Sequence, residues 1–193
     1  MAELSRRAWL GGLATKALGA AADAAQREVD RRFPPQRRPP GAAPEAVFLS
    51  ECTRCGACAE ACPHGAILHF DEGSGALAGT PVLVPDSRAC HQCEGFPCAA
   101  ACEESALRIP EAATWRLGRA RLVKERCIAW QGPECGACVD ACPPDASALR
   151  LERWRPHLDP ALCIGCGLCI ERCPTLPKAI ELEPLEQEGT GPA

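Results

Sequence analysis

The sixteen cysteines of this 193-residue chain fall into four groups of four, and none is left over. The groups are Cys52, Cys55, Cys58 and Cys62; Cys90, Cys93, Cys98 and Cys102; Cys127, Cys135, Cys138 and Cys142; and Cys163, Cys166, Cys169 and Cys173. The first and fourth groups have the spacing C-x2-C-x2-C-x3-C-P, which holds [4Fe–4S] clusters. We therefore predict that all sixteen cysteines ligate four [4Fe–4S] clusters and that the chain handles electrons singly.

The cysteine spacing suits a cube-shaped group better than it suits other uses of cysteine. Three thiolates lie within residues 163–169, so one tight loop can reach three corners of a cluster. Gly165 and Gly167 lie between these ligands and allow backbone N–H groups to approach the cluster sulfurs closely. In two-cluster proteins of this kind, the fourth cysteine reaches across to the other cluster.

Two alternatives, a disulfide framework and zinc sites, explain the pattern less well. Disulfides suit an even number of cysteines in a secreted chain. They do not explain why three C-x2-C-x3-C cores and one C-x4-C-x3-C variant recur at a fixed interval. Zinc sites usually combine two separated C-x2-C pairs, and a C-x2-C-x2-C triplet is an awkward tetrahedral chelate. Cluster binding is therefore the favoured interpretation.

A few other side chains are expected to act on the clusters indirectly. His64 and His91 neighbour predicted ligands and are candidates for hydrogen bonds that tune a cluster. The tryptophans near the cysteine groups are expected to shield clusters from water; they are Trp115, Trp130 and Trp154. We identify no substrate pocket, and sixteen ligands for four clusters leave no open iron site, so we do not expect an enzyme.

The composition indicates that metal ligation contributes to folding. Aromatic residues make up only 4% of the chain, tyrosine is absent, and there are 19 prolines and 17 glycines. Such a chain buries little apolar surface for its length. Metal ligands must then supply much of the folding free energy, as in other small metal-held domains. We expect the chain without iron to be largely unfolded.

The charge distribution indicates the kind of partner. Residues 1–40 contain eight Lys/Arg and four Asp/Glu, whereas residues 41–193 contain 13 and 21. Each oxidised cluster with four thiolates adds a charge of about −2. This acidic body argues against nucleic-acid binding and favours a redox partner with a basic surface. No stretch reaches the roughly 18 apolar residues of a membrane span, so we expect no transmembrane segment.

An internal repeat predicts the fold class. The first cysteines of the groups lie at positions 52, 90, 127 and 163, at intervals of 38, 37 and 36 residues. A short apolar stretch follows each fourth cysteine, and the first three are followed by a turn and a returning strand, as in β-hairpins. We predict an α+β fold of two bacterial-ferredoxin-like two-[4Fe–4S] units, with short strands and short helices around the clusters.

The middle two groups depart from the regular motif. Two extra residues precede Cys98, and seven residues separate Cys127 from Cys135. These variants resemble the middle motifs of four-cluster electron-transfer subunits that serve molybdenum oxidoreductases. That resemblance implies nested pairing, with groups two and three in one unit and groups one and four in the other. Cys102 would then complete the cluster of group three, and Cys142 that of group two.

The nested interpretation gives definite domain boundaries. It places an outer unit at residues 47–89 and 143–183, an inner unit at 90–142, and a flexible tail at 184–193. Group one would then exchange its fourth ligand with group four, through Cys62 and Cys173. The near-equal repeat also permits simple tandem pairing of consecutive groups, so both arrangements remain open.

Residues 1–46 are predicted to form a helix and a proline- and arginine-rich linker. Ser5-Arg6-Arg7-Ala8-Trp9-Leu10 resembles a twin-arginine export signal, which would imply a periplasmic protein. The following residues instead have apolar side chains at helical spacing and no clear cleavage site. We therefore expect a retained helix and a cytoplasmic protein, with periplasmic export as the alternative. Residues 34–44 are expected to form an extended linker.

Several segments together resemble the ferredoxin-type proteins of the NapF/NapG/MauM group. The resemblance covers about residues 39–183 and is carried by these segments: Ser5-Arg6-Arg7, Pro39-Pro40-Gly41-Ala42, Phe48 with Cys52-Thr53-Arg54-Cys55, Cys93-Glu94 with Pro97-Cys98, and Cys127 with Trp130-Gln131. It implies an accessory of periplasmic nitrate reductase or methylamine dehydrogenase. The NapG-like branch is exported and relays electrons from quinol oxidation, whereas the NapF-like branch is cytoplasmic and serves maturation of the molybdenum subunit.

The resemblance leads to two functional hypotheses. The first is electron transfer to or from a molybdenum oxidoreductase, with a subunit of that enzyme or a quinol-oxidising membrane protein as the redox partner. The alternative is a cytoplasmic assembly factor for the molybdenum catalytic subunit, in which the clusters are a redox donor or a structural element and the N-terminal helix grips the client.

Overall fold

The computed structural model describes residue 28, residues 31–32, and residues 34–110 and 115–184. The predicted N-terminal helix, apart from a few residues at its end, lies outside this part of the chain, as do the twin-arginine segment and residues 185–193 of the predicted tail. Among the described residues, no helix has both the length and the apolar character needed to cross a membrane.

The first unit contains groups one and two of the cysteines. Its elements are helix α1 (Glu45–Glu51), helix α2 (Ala57–Glu60), strand β1 (Ile67–His69), a 3-10 segment (Glu72–Leu77), strand β2 (Pro81–Leu83) and helix α3 (Pro97–Ala100). Strands β1 and β2 form an antiparallel pair in which Ile67 lies opposite Leu83 and His69 opposite Pro81. This hairpin returns the chain from the first cysteine group to the second.

The second unit contains groups three and four. Its elements are strand β3 (Arg119–Leu122), a 3-10 segment (Lys124–Arg126), helix α4 (Ile128–Gln131), helix α5 (Ala137–Asp140), strand β4 (Leu149–Glu152), strand β5 (Arg155–Leu158), helix α6 (Leu168–Arg172) and strand β6 (Ile180–Glu183). Strands β4 and β5 form an antiparallel hairpin, and β3 pairs with β6 at the other side of the unit. The predicted class of short helices and short strands is confirmed.

The two units follow one another along the chain, which differs from the nested division. Helix α2 packs against α3 within the first unit, and α5 packs against α6 within the second. All three strand pairs also join strands of the same unit. The physical reason is that each hairpin brings consecutive groups together through a short connection, and consecutive elements usually lie side by side. Tandem pairing, the alternative left open above, is the arrangement in the structure.

The expected linker before the first unit is part of that unit's core. Pro39 and Pro40 are fully buried, and Arg38 is also buried. The Arg38 guanidinium forms an ion pair with Glu45 at 2.5 Å and donates to Thr80 Oγ1 at 2.8 Å. It also lies over the Phe48 ring, 4.5 Å from the centroid. The sequence predicts an extended segment because prolines and arginines are typical of linkers, but two of the Arg38 acceptors, Thr80 and Pro81, lie more than 40 residues along the chain.

The apolar core is small and is built around the cysteines. In the first unit Phe48 and Leu83 are the largest fully buried side chains, and in the second Ile170 and Ile180 have this role. Most other buried apolar residues are alanines and cysteines. Three groups of packed apolar residues all include cysteines, so the ligands and the core occupy the same space.

Candidate iron–sulfur centres

Four cavities in the described part of the chain are each lined by four cysteines. Each takes three cysteines from one group and one from the neighbouring group. Site 1 is lined by Cys52, Cys55, Cys58 and Cys102, site 2 by Cys62, Cys90, Cys93 and Cys98, site 3 by Cys127, Cys135, Cys138 and Cys173, and site 4 by Cys142, Cys163, Cys166 and Cys169. All sixteen predicted ligands therefore lie on one of the four sites.

The structure shows an exchange of fourth cysteines, but between consecutive groups. Cys62 and Cys102 cross between sites 1 and 2, and Cys142 and Cys173 cross between sites 3 and 4. The nested prediction placed Cys102 with group three and Cys142 with group two, and the structure keeps these residues apart. The crossing follows from the packing of α2 on α3 and of α5 on α6, because each fourth cysteine follows its helix and faces the neighbouring loop.

The four cavities fit a group larger than a single ion. Sites 2, 3 and 4 have similar empty volumes of about 330, 320 and 330 Å³, which include the space at their open mouths. Among the described residues, no three His, Cys, Asp or Glu side chains lie close enough together to hold one metal ion. Four thiolates spread around such a cavity match the ligand set of a [4Fe–4S] cluster and not that of a mononuclear zinc site.

Site 1 differs from the other three in its exposure. Its cavity has an empty volume of about 760 Å³. Cys55 on its rim is exposed, whereas the other fifteen cysteines are buried or half-buried. Exposed Glu103 and Glu104 also line the cavity, and Glu103 occupies the position where the other groups have proline after the fourth cysteine. Site 1 is therefore the site most open to solvent in the described structure.

Glycines at the starts of α2 and α6 permit the tight ligand loops. Gly56 and Gly167 occupy the same position in the first and fourth groups, with φ values of 82° and 86°. This left-handed conformation is accessible to glycine at little cost. The irregular second group has Phe96 in the corresponding region, also with a positive φ of 44°, and this side chain is buried against site 2.

Burial favours the neutral form of seven of the sixteen thiols unless a metal replaces the proton. Burial raises the pKa of Cys58 to about 11 and the pKa values of Cys90 and Cys138 to about 12. The pKa values of four further thiols are also raised, chiefly by burial; they are Cys93, Cys98, Cys166 and Cys169. Because ligands must be deprotonated, metal binding at these sites releases protons.

Cys173 departs from this trend. Burial raises the pKa of its thiol, but hydrogen bonds from Thr175 and Ala179 and the charge of Lys178 outweigh burial and lower the pKa. Neither Thr175 nor Lys178 was singled out from the sequence. The available signal was the loop after Cys173, which has two more residues before its alanine than the loop after Cys62.

Backbone hydrogen bonds to the fourth cysteines explain the apolar repeat. The Ala66 N–H lies 3.4 Å from Cys62 Sγ, and the Leu107 N–H lies 3.4 Å from Cys102 Sγ. The Ala179 N–H makes the same contact with Cys173 at 3.4 Å. Each donor belongs to the short apolar stretch that follows the fourth cysteine. The repeat seen in the sequence thus places an N–H group against a ligand sulfur.

The histidine and tryptophan predictions have mixed outcomes. His64 and His91 stack with ring centroids 3.6 Å apart and both line site 2, but none of their hydrogen bonds among the described residues reaches a cysteine sulfur. Trp130 donates to the Pro156 carbonyl at 3.2 Å, and Pro156 lines site 3. Trp154 is 67% exposed at the β4–β5 turn, so its predicted shielding role is wrong.

The units meet beside sites 2 and 4. The Cys90 N–H donates to the Cys166 carbonyl at 3.2 Å, which links a ligand of site 2 directly to a ligand of site 4. Gln92 Nε2 donates to the Ile164 carbonyl at 2.9 Å, and the Ala89 N–H donates to Glu171 Oε2 at 2.8 Å. With the pairings inside each unit, these contacts arrange the sites in the order 1, 2, 4, 3.

Comparison with protein families identifies two iron–sulfur segments. Residues 46–68 match the 4Fe-4S binding domain, and residues 126–176 match the 4Fe-4S dicluster domain. The second match contains groups three and four together, as in the second unit of the structure. No solved structure matches the chain.

Curated relatives are ferredoxin-type proteins. The chain is 41% identical over 118 residues to the methylamine utilization ferredoxin-type protein MauM of Paracoccus denitrificans, covering 60% of this chain and 53% of that protein. It is 40% identical over 145 residues to the ferredoxin-type protein NapG of Escherichia coli, covering 74% and 62%. It is 35% identical over 131 residues to Escherichia coli NapF, covering 66% and 74%. The matched segment thus spans less than two thirds of the MauM and NapG proteins.

Proposed function

Because the chain belongs to the ferredoxin-type proteins that include NapF, NapG and MauM, we propose that this electron carrier holds four [4Fe–4S] clusters and serves a molybdenum oxidoreductase of the periplasmic nitrate reductase type. The observation that carries the proposal is the set of four all-cysteine sites in one series. No other arrangement of side chains in the described structure offers comparable chemistry.

The contribution of the chain is to hold, space and shield redox centres. When bound, an iron–sulfur cluster supplies one-electron oxidation and reduction. The cysteines fix each centre, and the exchanged fourth ligands keep two centres of a unit close together. The Cys90–Cys166 hydrogen bond provides a short covalent and hydrogen-bonded connection between the units. The alanine-rich core around the sites excludes water without adding further ionisable groups.

The end of the series at site 1 is the proposed contact with the redox partner. Site 1 is terminal in the order of sites, and its ligand Cys55 is exposed. A partner can therefore approach this site more closely than the others. Glu103 and Glu104 on the rim favour a partner with a basic surface, as the acidic composition of the body also predicts.

Anaerobic analysis tests the number of clusters and the partner. We expect about sixteen iron and sixteen sulfide per chain for four [4Fe–4S] clusters. The reduced protein, mixed with a purified periplasmic nitrate reductase, should be reoxidised only when both the reductase and nitrate are present. Cluster-loaded protein that stays reduced in the complete mixture would contradict the proposed partner while leaving electron transfer intact.

A maturation role in the cytoplasm is the second candidate, and one comparison favours it. The match covers 74% of a NapF protein but only 62% of a NapG protein. Deleting residues 1–33 separates the two roles, because the deletion spares Arg38 and the buried prolines of the first unit. An electron carrier should keep its reduction kinetics after the deletion, whereas a client-binding factor should lose binding to the molybdenum subunit. Cell fractionation tests the proposed cytoplasmic location against periplasmic export.

A further inference from the structure

The loops after Cys142 and Cys173 form a matched pair within the second unit. Each has five residues between the fourth cysteine and the alanine that starts the apolar stretch, Ala148 or Ala179. The second residue of the loop is Pro144 after Cys142 but Thr175 after Cys173, and the fifth is Ser147 or Lys178. The two crossing ligands therefore have loops of equal length and different chemistry.

The contacts of the two sulfurs differ accordingly. Thr175 Oγ1 lies 3.2 Å from Cys173 Sγ, and the Ala179 N–H lies 3.4 Å from the same atom. Lys178 Nζ donates to the Cys173 carbonyl at 2.7 Å, so a positive charge is held next to the ligand. In the other loop the Ser147 hydroxyl donates to the Pro144 carbonyl, and no hydrogen bond among the described residues reaches Cys142 Sγ.

These contacts act on the charge that a reducing electron adds. One electron increases the negative charge on the cluster and its sulfurs by one unit, and the hydroxyl keeps its proton. A hydroxyl donor and a nearby ammonium group stabilise that charge, and hydrogen bonds to the sulfurs are among the factors that set cluster potentials. The lowered pKa of the Cys173 thiol has the same origin, since these groups also stabilise the free thiolate.

We propose that Thr175 is a potential-setting residue, whose hydroxyl bond to Cys173 makes the cluster of site 3 easier to reduce than its surroundings would otherwise allow. The proposal rests on the proposed presence of a cluster at site 3. Site 3, the terminal site of the second unit, thus has a side-chain hydroxyl bonded to a ligand sulfur, and sites 1, 2 and 4 lack such a contact in the described structure. An electron that crosses from site 4 is then stabilised at site 3.

An EPR-monitored redox titration of the loaded protein tests this role. Thr175→Val removes the hydroxyl and keeps the shape of the side chain. We expect the equilibrium constant for reduction of the site 3 cluster to fall about tenfold, which is about 59 mV for a one-electron couple. Thr175→Ser should restore the wild-type potential. The site 3 signal is identified as the one lost in Cys138→Ala.

Ser147→Ala provides the matched control. The Ser147 hydroxyl lies in the equivalent loop and donates to the Pro144 carbonyl, and among the described residues it makes no hydrogen bond to a cysteine sulfur, so the cluster potentials of this variant should be unchanged. Fully loaded Thr175→Val with wild-type potentials would overturn the inference alone, as would a Thr175→Ser variant that behaves like Thr175→Val. A wild-type chain with no cluster at site 3 would instead overturn both the four-cluster proposal and the inference.

Discussion

The first and second units use the same ligand motif in different surroundings. Groups one and four have identical cysteine spacing, yet Cys55 in site 1 is exposed while Cys163, Cys166 and Cys169 in site 4 are all buried. The difference arises outside the motif. The second unit covers its sites with two strand pairs and with residues of the first unit, whereas site 1 lies at the open end of the series. Spacing thus determines which cluster is bound, and packing determines how accessible it is.

Iron removal should have the largest effect and should expose the asymmetry between the units. A chelator should first take iron from site 1, because its cavity is the most open, and complete removal should unfold the chain. Iron release and far-UV circular dichroism, followed together under anaerobic conditions, measure both steps. Release from all sites in a single phase would contradict the asymmetry. A cooperative melt of iron-free protein would contradict the dependence of the fold on metal.

Loss of one crossing ligand should remove a cluster from one unit only. Cys102→Ala should abolish or weaken the cluster of site 1, while the EPR signals of the second unit remain. The matched variant Cys142→Ala should act on site 4 and spare the first unit. Nested pairing predicts instead that Cys102→Ala weakens the cluster held by group three and spares the cluster held by group one, since Cys102 would then complete the cluster of group three. Iron content and EPR of the two variants distinguish these outcomes.

The sequence predicted sixteen candidate ligands, which the structure places around four cavities, but it did not determine how the groups pair. The sixteen cysteines, the repeat and the fold class follow from spacing, which is a local property of the chain. Pairing depends on which helices pack together, and intervals of 38, 37 and 36 residues allow both nested and tandem contacts. The irregular groups two and three favoured the wrong arrangement because their extra residues form only local structure. Those of group three include helix α4, and those around Phe96 close over site 2 and do not redirect Cys102.

Two other features depended on contacts distant in sequence. Arg38 lies in a proline- and arginine-rich segment that is typical of linkers, and its acceptor Thr80 is 42 residues away. The contact between Cys90 and Cys166 joins two ligand loops that no local pattern relates. Thr175 is different, because it is only two residues from its ligand. The loops that follow the fourth cysteine of each group differ at this position, so comparing them in the sequence identifies Thr175.

Removing the buried arginine should destabilise the first unit specifically. The Arg38 and Glu45 side chains are only 5% and 6% exposed, and Arg38→Met leaves the carboxylate buried without its partner. Breaking such a pair costs about 3–5 kcal/mol. We expect clusters of sites 1 and 2 to be lost at lower guanidinium concentration than those of the second unit, measured by visible absorbance and EPR.

An exposed ion pair of the second unit serves as the control for this variant. Arg121 pairs with Glu181 and Glu183 on strand β6, where all three side chains are substantially exposed. Solvent screens such pairs, so Arg121→Met should change the midpoint little. Equal destabilisation by Arg38→Met and Arg121→Met would show that the buried pair has no special role in the first unit.

A methyl group at two equivalent glycines should affect the two units unequally. Gly56 and Gly167 have nearly the same φ, so Gly→Ala at either position costs about 1–2 kcal/mol for the left-handed backbone. A Cβ at residue 56 meets nothing within 4 Å, whereas a Cβ at residue 167 lies 2.9 Å from Pro85 Cβ of the first unit. Because Pro85 is buried and rigid, Gly167→Ala should cost about 1–3 kcal/mol more, the usual penalty of overpacking.

Gly167→Ala should also weaken the nearby backbone hydrogen bond from Cys90 to Cys166. Electron equilibration between the units should therefore slow in Gly167→Ala and not in Gly56→Ala. Identical stability and kinetics of the two variants would mean that the units do not pack through Pro85.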